Sequence, residues 1–143
     1  YPYTRNISFE DLSYGNHMPT CSVVFRNNLF EKFPNWFNEL KMGDWPLHLI
    51  NAQFGDYWYI PKVMAVHRLH KESLWMLQDA RLNEKYVIEA YEVMTKGFGK
   101  DVRLVRQLDK AKKSFLSSIQ PVSKVILFKR KIRGFLLRII EKL

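Results

Sequence analysis

The chain predicts an α/β body followed by a helical extension, and three observations carry that expectation. Thr20–Arg26 (TCSVVFR) is a β-branched, apolar run with the character of a buried strand. From Asp44 to Ile60 the pattern passes from an amphipathic helix through a glycine stop to an aromatic strand, an order that suits helix-on-sheet packing. From about Leu74 onward, apolar residues recur at spacings of three and four, as on one face of a helix.

The elements follow in order. Residues 1–19 hold Pro2, Gly15 and Pro19, with a short turn of helix expected around Phe9–Ser13. After the strand at Thr20–Arg26, a turn leads to FPNWFNEL, where Pro34 suits the start of a short helix. Asp44 is expected to cap the next helix, with Pro46 tolerated in its first turn and Leu47, Ile50 and Phe54 on its buried face. Gly55 ends that helix, and Tyr57–Ile60 and Val63–Val66 read as two short strands around Pro61-Lys62. Leu82, Val87, Tyr91 and Met94 then stripe one helix, which Gly97-Phe98-Gly99 breaks. Val102, Val105, Leu108, Ala111 and Phe115 stripe a second. A third, opened by Pro121, carries Val125, Phe128, Ile132, Phe135, Ile139 and Leu143 on its apolar side.

Composition narrows the function classes. With 143 residues, 47% hydrophobic and 15% aromatic, the chain has the material for one moderate core. Its single cysteine, Cys21, excludes an intramolecular disulfide and a multi-cysteine zinc site; it reads as a small core residue, and the four tryptophans read as largely core. Residues 1–109 carry 13 Lys/Arg and 13 Asp/Glu, whereas residues 110–143 carry 10 Lys/Arg against Glu141 alone. A basic tail on a neutral body points to an anionic surface met by the tail, not to a nucleic-acid groove in the body. Tyr1–Arg5 lacks the charged-then-apolar order of a secretory signal, and the longest uninterrupted apolar runs, such as Val125–Phe128, are of four residues.

Three groups of residues are candidates for chemistry. Asp44, at a helix N-terminus, has the setting of an ionised carboxylate able to take a proton from a hydroxyl, and equally that of a plain cap. Arg68 and His70 alternate in a strand-like run and so share a face; they suit phosphate oxygens, or a solvated sheet end. The terminal helix, with Lys129, Arg130, Lys131, Arg133 and Arg138 on its polar side, suits peripheral contact with an anionic membrane, or packing on the body. His67 and His70 point to opposite faces of such a strand and are poor co-ligands for zinc, even with His48 upstream.

TCSVVFRN, the GDWPLHLINAQFGDYWYIP run and VMAVHRLHKESLW together resemble the acceptor-side half of family 2 glycosyltransferases, inverting enzymes of the GT-A fold that build bacterial surface polysaccharides. The resemblance covers about Ile7 to Trp75. It implies that residues 1–75 are part of a GT-A-like domain with a Rossmann-like mixed sheet, and that residues 76–143 are the variable helical extension such enzymes carry. It implies Asp44 as the base that deprotonates the acceptor hydroxyl, with Arg68 and His70 holding the leaving diphosphate and His70 near its cation, Mg²⁺ or Mn²⁺. Thr20, Cys21, Ser22 and Trp45 would border the acceptor. The implied partners are a nucleotide-sugar and a saccharide or lipid-linked saccharide, handled in the cytoplasm at the inner face of the cell membrane.

The chain departs from the family at two points. His67 stands where the family commonly has Tyr, and no Asp-x-Asp occurs in the sequence. The resemblance therefore implies that the nucleotide-binding half precedes Tyr1, and that this chain alone does not turn over a nucleotide-sugar. A sheet edge left open by the absent strands is a route to homodimerisation. The alternative from a different class is a non-catalytic module that docks on a membrane or a protein partner through its basic helices.

Overall fold

The computed structural model describes residues 6–66, 68, 75 and 79–119. The chain forms two compact units, residues 1–112 and 113–143. Strand β1 (Asn6–Ile7) and helix α1 (Phe9–Ser13) open the first. Two 3-10 turns follow, Thr20–Ser22 and Asn35–Glu39, and then helix α2 (Asp44–Asn51). Strand β2 (Tyr57–Trp58), helix α3 (Ala80–Gly97) and a helix α4, described over residues 102–119, complete the described elements.

The described residues are mainly helical, and this corrects the expected partial GT-A-like, Rossmann-like mixed sheet. β1 and β2 form a single antiparallel ladder, Asn6 opposite Trp58 and Ile7 opposite Tyr57. The runs at 23–26 and 63–66 have strand composition, yet neither joins a sheet, and Val24 and Val63 are 94% and 97% exposed. Strand propensity is largely the packing of a side chain against neighbouring strands, so a β-branched run without a partner gains little from it. Among the described residues no strand lies beside either run. Thr20–Ser22 instead closes a 3-10 turn after Pro19, and Cys21, expected in the core, is exposed on it.

α1 begins with a capping box. Ser8 accepts the Asp11 backbone N–H at 3.2 Å while the Asp11 carboxylate accepts the Ser8 N–H at 3.0 Å. Five residues are too few for an isolated helix, so α1 depends on what covers it. Phe9, Leu12 and Ser13 are buried. The last carbonyls of a helix have no partner within it, and here two buried side chains supply them. Trp45 Nε1–H donates to the Leu12 carbonyl at 2.7 Å, and Tyr91 Oη–H to the Ser13 carbonyl at 2.8 Å. The two rings meet edge to face with centroids 5.0 Å apart. Gln107 adds a bond to Ser13 Oγ at 2.8 Å, which brings α4 to the same point.

The core lies where these helices meet and holds Leu12, Trp45, Leu49, Ile50, Tyr91, Met94, Leu108 and Ala111. The helical stripes expected around Tyr91–Met94 and Leu108–Ala111 supply its far side. The buried face expected for α2 is shifted, because that helix ends at Asn51 and Phe54 lies beyond it, largely exposed. Of the four tryptophans, Trp58 is 72% exposed and Trp75 also faces solvent. Trp36 packs on the C-terminal end of α3, where its indole fills the space a Cβ on Gly97 would occupy. Among the described residues no helix is long and apolar enough to cross a membrane. Pro121 and the helix expected after it lie outside the described residues.

Replacing Tyr91 by Phe keeps the ring and strands the Ser13 carbonyl. Tyr91→Phe is expected to lower unfolding free energy by about 1–3 kcal/mol, read by urea denaturation. Trp58→Phe, at an exposed ring, is expected to stay within about 0.5 kcal/mol of the parent.

Candidate carboxylate site

Asp44 is the first residue of α2, not its cap. Gly43 occupies the cap position and offers no side chain. The Asp44 side chain is therefore not spent on the helix N–H groups two or three residues ahead. Its Oδ1 accepts the backbone N–H of the adjacent Trp45 at 2.8 Å. Its Oδ2 faces the loop before the first 3-10 turn and accepts Asn16 Nδ2–H at 2.8 Å and Thr20 Oγ1–H at 3.2 Å. A carboxylate offers about four acceptor positions, and among the described residues three donors fill three of them.

Each donor is held by its own local structure. Asn16 Oδ1 accepts the Met18 N–H at 3.1 Å, an Asx turn that aims the amide nitrogen at Asp44. Thr20 opens the 3-10 turn that Pro19 starts, and Ser22 Oγ bonds back to the Pro19 carbonyl at 2.8 Å. Trp45 turns the opposite way from Asp44. Its ring is 2% exposed and its N–H is committed to Leu12, so it supports the carboxylate from the core and does not line an acceptor surface.

Beneath the carboxylate, one helical turn on, sits His48. It is 1% exposed, and neither ring nitrogen has a hydrogen-bond partner of normal geometry. Asn51 follows three residues later, 4% exposed, its amide beside the Tyr57 hydroxyl but with no hydrogen bond of normal geometry. The Tyr57 ring of β2 meets the imidazole edge-on at 5.8 Å, and its hydroxyl donates to the His48 carbonyl at 3.4 Å. Burial holds the His48 pKa below the ordinary 6.5, with the Asp44 charge and the nearby Met18 backbone opposing the shift.

The sequence-derived site is only partly assembled. Thr20 reaches Asp44, whereas Cys21 is exposed and Ser22 is engaged with its own turn. Arg68 is exposed, and no described hydrogen bond or ion pair joins it to Asp44. His67, His70 and the basic residues Lys129, Arg130, Lys131, Arg133 and Arg138 lie outside the described residues. Asn16 was not singled out by the sequence; Gly15-Asn16 before Pro19 signals a turn and nothing about a carboxylate 28 positions away. Among the described residues no three His, Cys, Asp or Glu side chains gather as cation ligands, and His70, which the resemblance sets near Mg²⁺ or Mn²⁺, lies outside them.

Comparison with protein-family models, with curated proteins and with solved structures gave no match.

The buried imidazole makes stability pH-dependent with a definite sign. His48 has a lower pKa folded than unfolded, so its neutral form contributes fully above the unfolded value near 6.5. That contribution is lost as pH falls from there through the folded value, because the unfolded chain takes up the proton first. Thermal melting from about pH 7.5 down to about pH 5 is expected to show a steeper loss in the parent than in His48→Leu.

Proposed function

We propose that Asp44 is the general base of a glycosyl transfer, and that this chain supplies the acceptor-side part of the enzyme that carries it out. The observation that carries the reading is the state of the Asp44 carboxylate. It is half-buried, tied by Asn16, Thr20 and the Trp45 N–H, and among the described residues keeps one acceptor position free. The local resemblance around GDWPLHL and VHRLH adds the reaction type.

In this reading an acceptor hydroxyl approaches the open position of Asp44 to hydrogen-bond distance. As its oxygen attacks the anomeric carbon of the donor sugar, the O–H proton passes to the carboxylate. The bond from the anomeric carbon to the diphosphate breaks on the opposite side, so configuration inverts and the nucleoside diphosphate departs with the electron pair. Asn16 and Thr20 hold the carboxylate in one orientation before the hydroxyl arrives, which lowers the reorganisation the step requires. Arg68 would contribute charge to the departing diphosphate, where stabilisation acts most on rate.

The second reading, a non-catalytic module docking on an anionic membrane or a protein partner, draws on the 10 basic residues against one acidic residue in 110–143. The two readings part on Asp44. In a polypeptide extended upstream in its reading frame, Asp44→Asn is expected to reduce sugar transfer by roughly 10²–10⁴-fold. Nucleotide-sugar binding is expected to stay nearly unchanged, as measured by calorimetry beside the transfer assay. Full transfer by the variant would make Asp44 a structural residue and favour the docking module.

A further inference from the structure

His48 has a position that its role as a core residue does not explain. A buried position on α2 is filled by Leu or Phe without any polar group to satisfy, yet here it carries an imidazole whose nitrogens have no hydrogen bond of normal geometry, the Met18 backbone being the polar group beside the ring. It lies four residues after Asp44 on α2, so the two side chains share one face of the helix. Helical side chains lean toward the N-terminus, which carries the imidazole toward the turn that bears the carboxylate.

We propose that His48 is an acid-responsive positioning residue for Asp44: protonated, it draws the carboxylate off Asn16 and Thr20 and closes the acceptor position that the neutral imidazole leaves open. As regulation of transfer this rests on the reading of Asp44 as the base; the coupling between the two side chains does not.

Among the described residues the surroundings leave Asp44 as the charge that faces the imidazolium, beside the Met18 backbone, which also favours the protonated ring. On α1, Glu10 pairs with Lys110 and Asp11 is bound to Ser8. Tyr57 of β2 presents a ring edge, and burial raises its hydroxyl pKa, so it stays neutral through the acid range. The loop of residues 16–20 brings the Met18 backbone toward the ring, while His17 faces solvent. From α3, Tyr91 is committed to Ser13. Asn51 is uncharged. A proton on His48 thus introduces a buried cation facing the charge of a carboxylate bound by three neutral donors, and a charged partner outcompetes neutral ones. Burial also disfavours the cation, which confines the response to acidic pH.

The test is an NMR titration of the isotope-labelled 143-residue chain from about pH 8 to about pH 4.5, following the histidine rings, the Asn16 side-chain amide and the Asp44 carboxyl carbon. His48 is assigned by its absence from His48→Phe. The expected result is a His48 midpoint below 6.5, with the Asn16 amide and Asp44 carboxyl signals moving at the same midpoint. In Asp44→Asn the His48 midpoint is expected to fall further on loss of the opposing charge. In His48→Phe the shared transition at Asn16 is expected to vanish. An Asn16 transition that persists in His48→Phe, or a His48 midpoint unmoved in Asp44→Asn, overturns the proposal. Should His48→Phe not fold, the comparison of the parent with Asp44→Asn decides alone, since Asp44 is half-buried at the surface. These readouts are independent of sugar transfer, so coupling without transfer rejects the base and keeps the switch, and transfer without coupling does the reverse.

Discussion

The rest of the first unit depends on the satisfaction of two buried carbonyls at the end of α1. A five-residue helix has no stability of its own, and its Leu12 and Ser13 carbonyls lie buried and take donors from beyond the helix, Leu12 from the Gly15 N–H at 3.2 Å as well as from an indole. Trp45 from α2 and Tyr91 from α3 each give one hydrogen bond, and their rings pack edge to face over the same spot. Removing the Tyr91 hydroxyl leaves the Ser13 carbonyl without its described donor in the core, which costs more than the bond is worth in a solvated setting, whereas the Leu12 carbonyl keeps the Gly15 N–H at 3.2 Å when the indole is lost. α1 thereby fixes the relation of α2 to α3, with Gln107 adding α4.

That frame determines how the carboxylate is presented. Successive helical residues differ by about 100° in direction, so anchoring Trp45 in the core turns Asp44 toward the loop at 16–20. The absence of a side chain at Gly43 and the lack of an N–H at Pro46 leave the first turn of α2 with few demands on Asp44. The carboxylate then meets donors from 24 and 28 residues earlier in sequence. The Asp44 carboxylate, with the Asn16 amide and Thr20 hydroxyl from the preceding loop, sits above an inner layer of the His48 imidazole and Asn51 amide, which α2 carries one and two turns further on.

What was legible in the sequence was mostly local. The turn of helix at Phe9–Ser13, the short helical piece after Pro34, and the helices broken at Gly97 follow from caps, prolines and 3.6-residue periodicity. The strands were not, because a β-branched run reports only a readiness to pair and residues 23–26 and 63–66 have no described partner. Asp44 illustrates the same limit at the scale of one residue. Sequence puts it at a helix start, but whether it caps the helix or faces a loop depends on Gly43 taking the cap and on Asn16 arriving from afar. The family resemblance sets Trp45 beside the acceptor, next to Asp44, whereas its indole is needed under α1. Burial of Trp45 and exposure of Trp58 are tertiary outcomes that composition does not encode.

The most direct test of this frame is hydrogen exchange at the tryptophan indoles, observed by NMR under native conditions. If the Trp45 N–H closes the end of α1, it exchanges only through global unfolding, with the same free energy as the slowest amides of α3, while the exposed Trp58 indole exchanges at nearly the free rate. A Trp45 indole that exchanges as fast as that of Trp58 would contradict the account, because α1 would then be held by something other than these two donors.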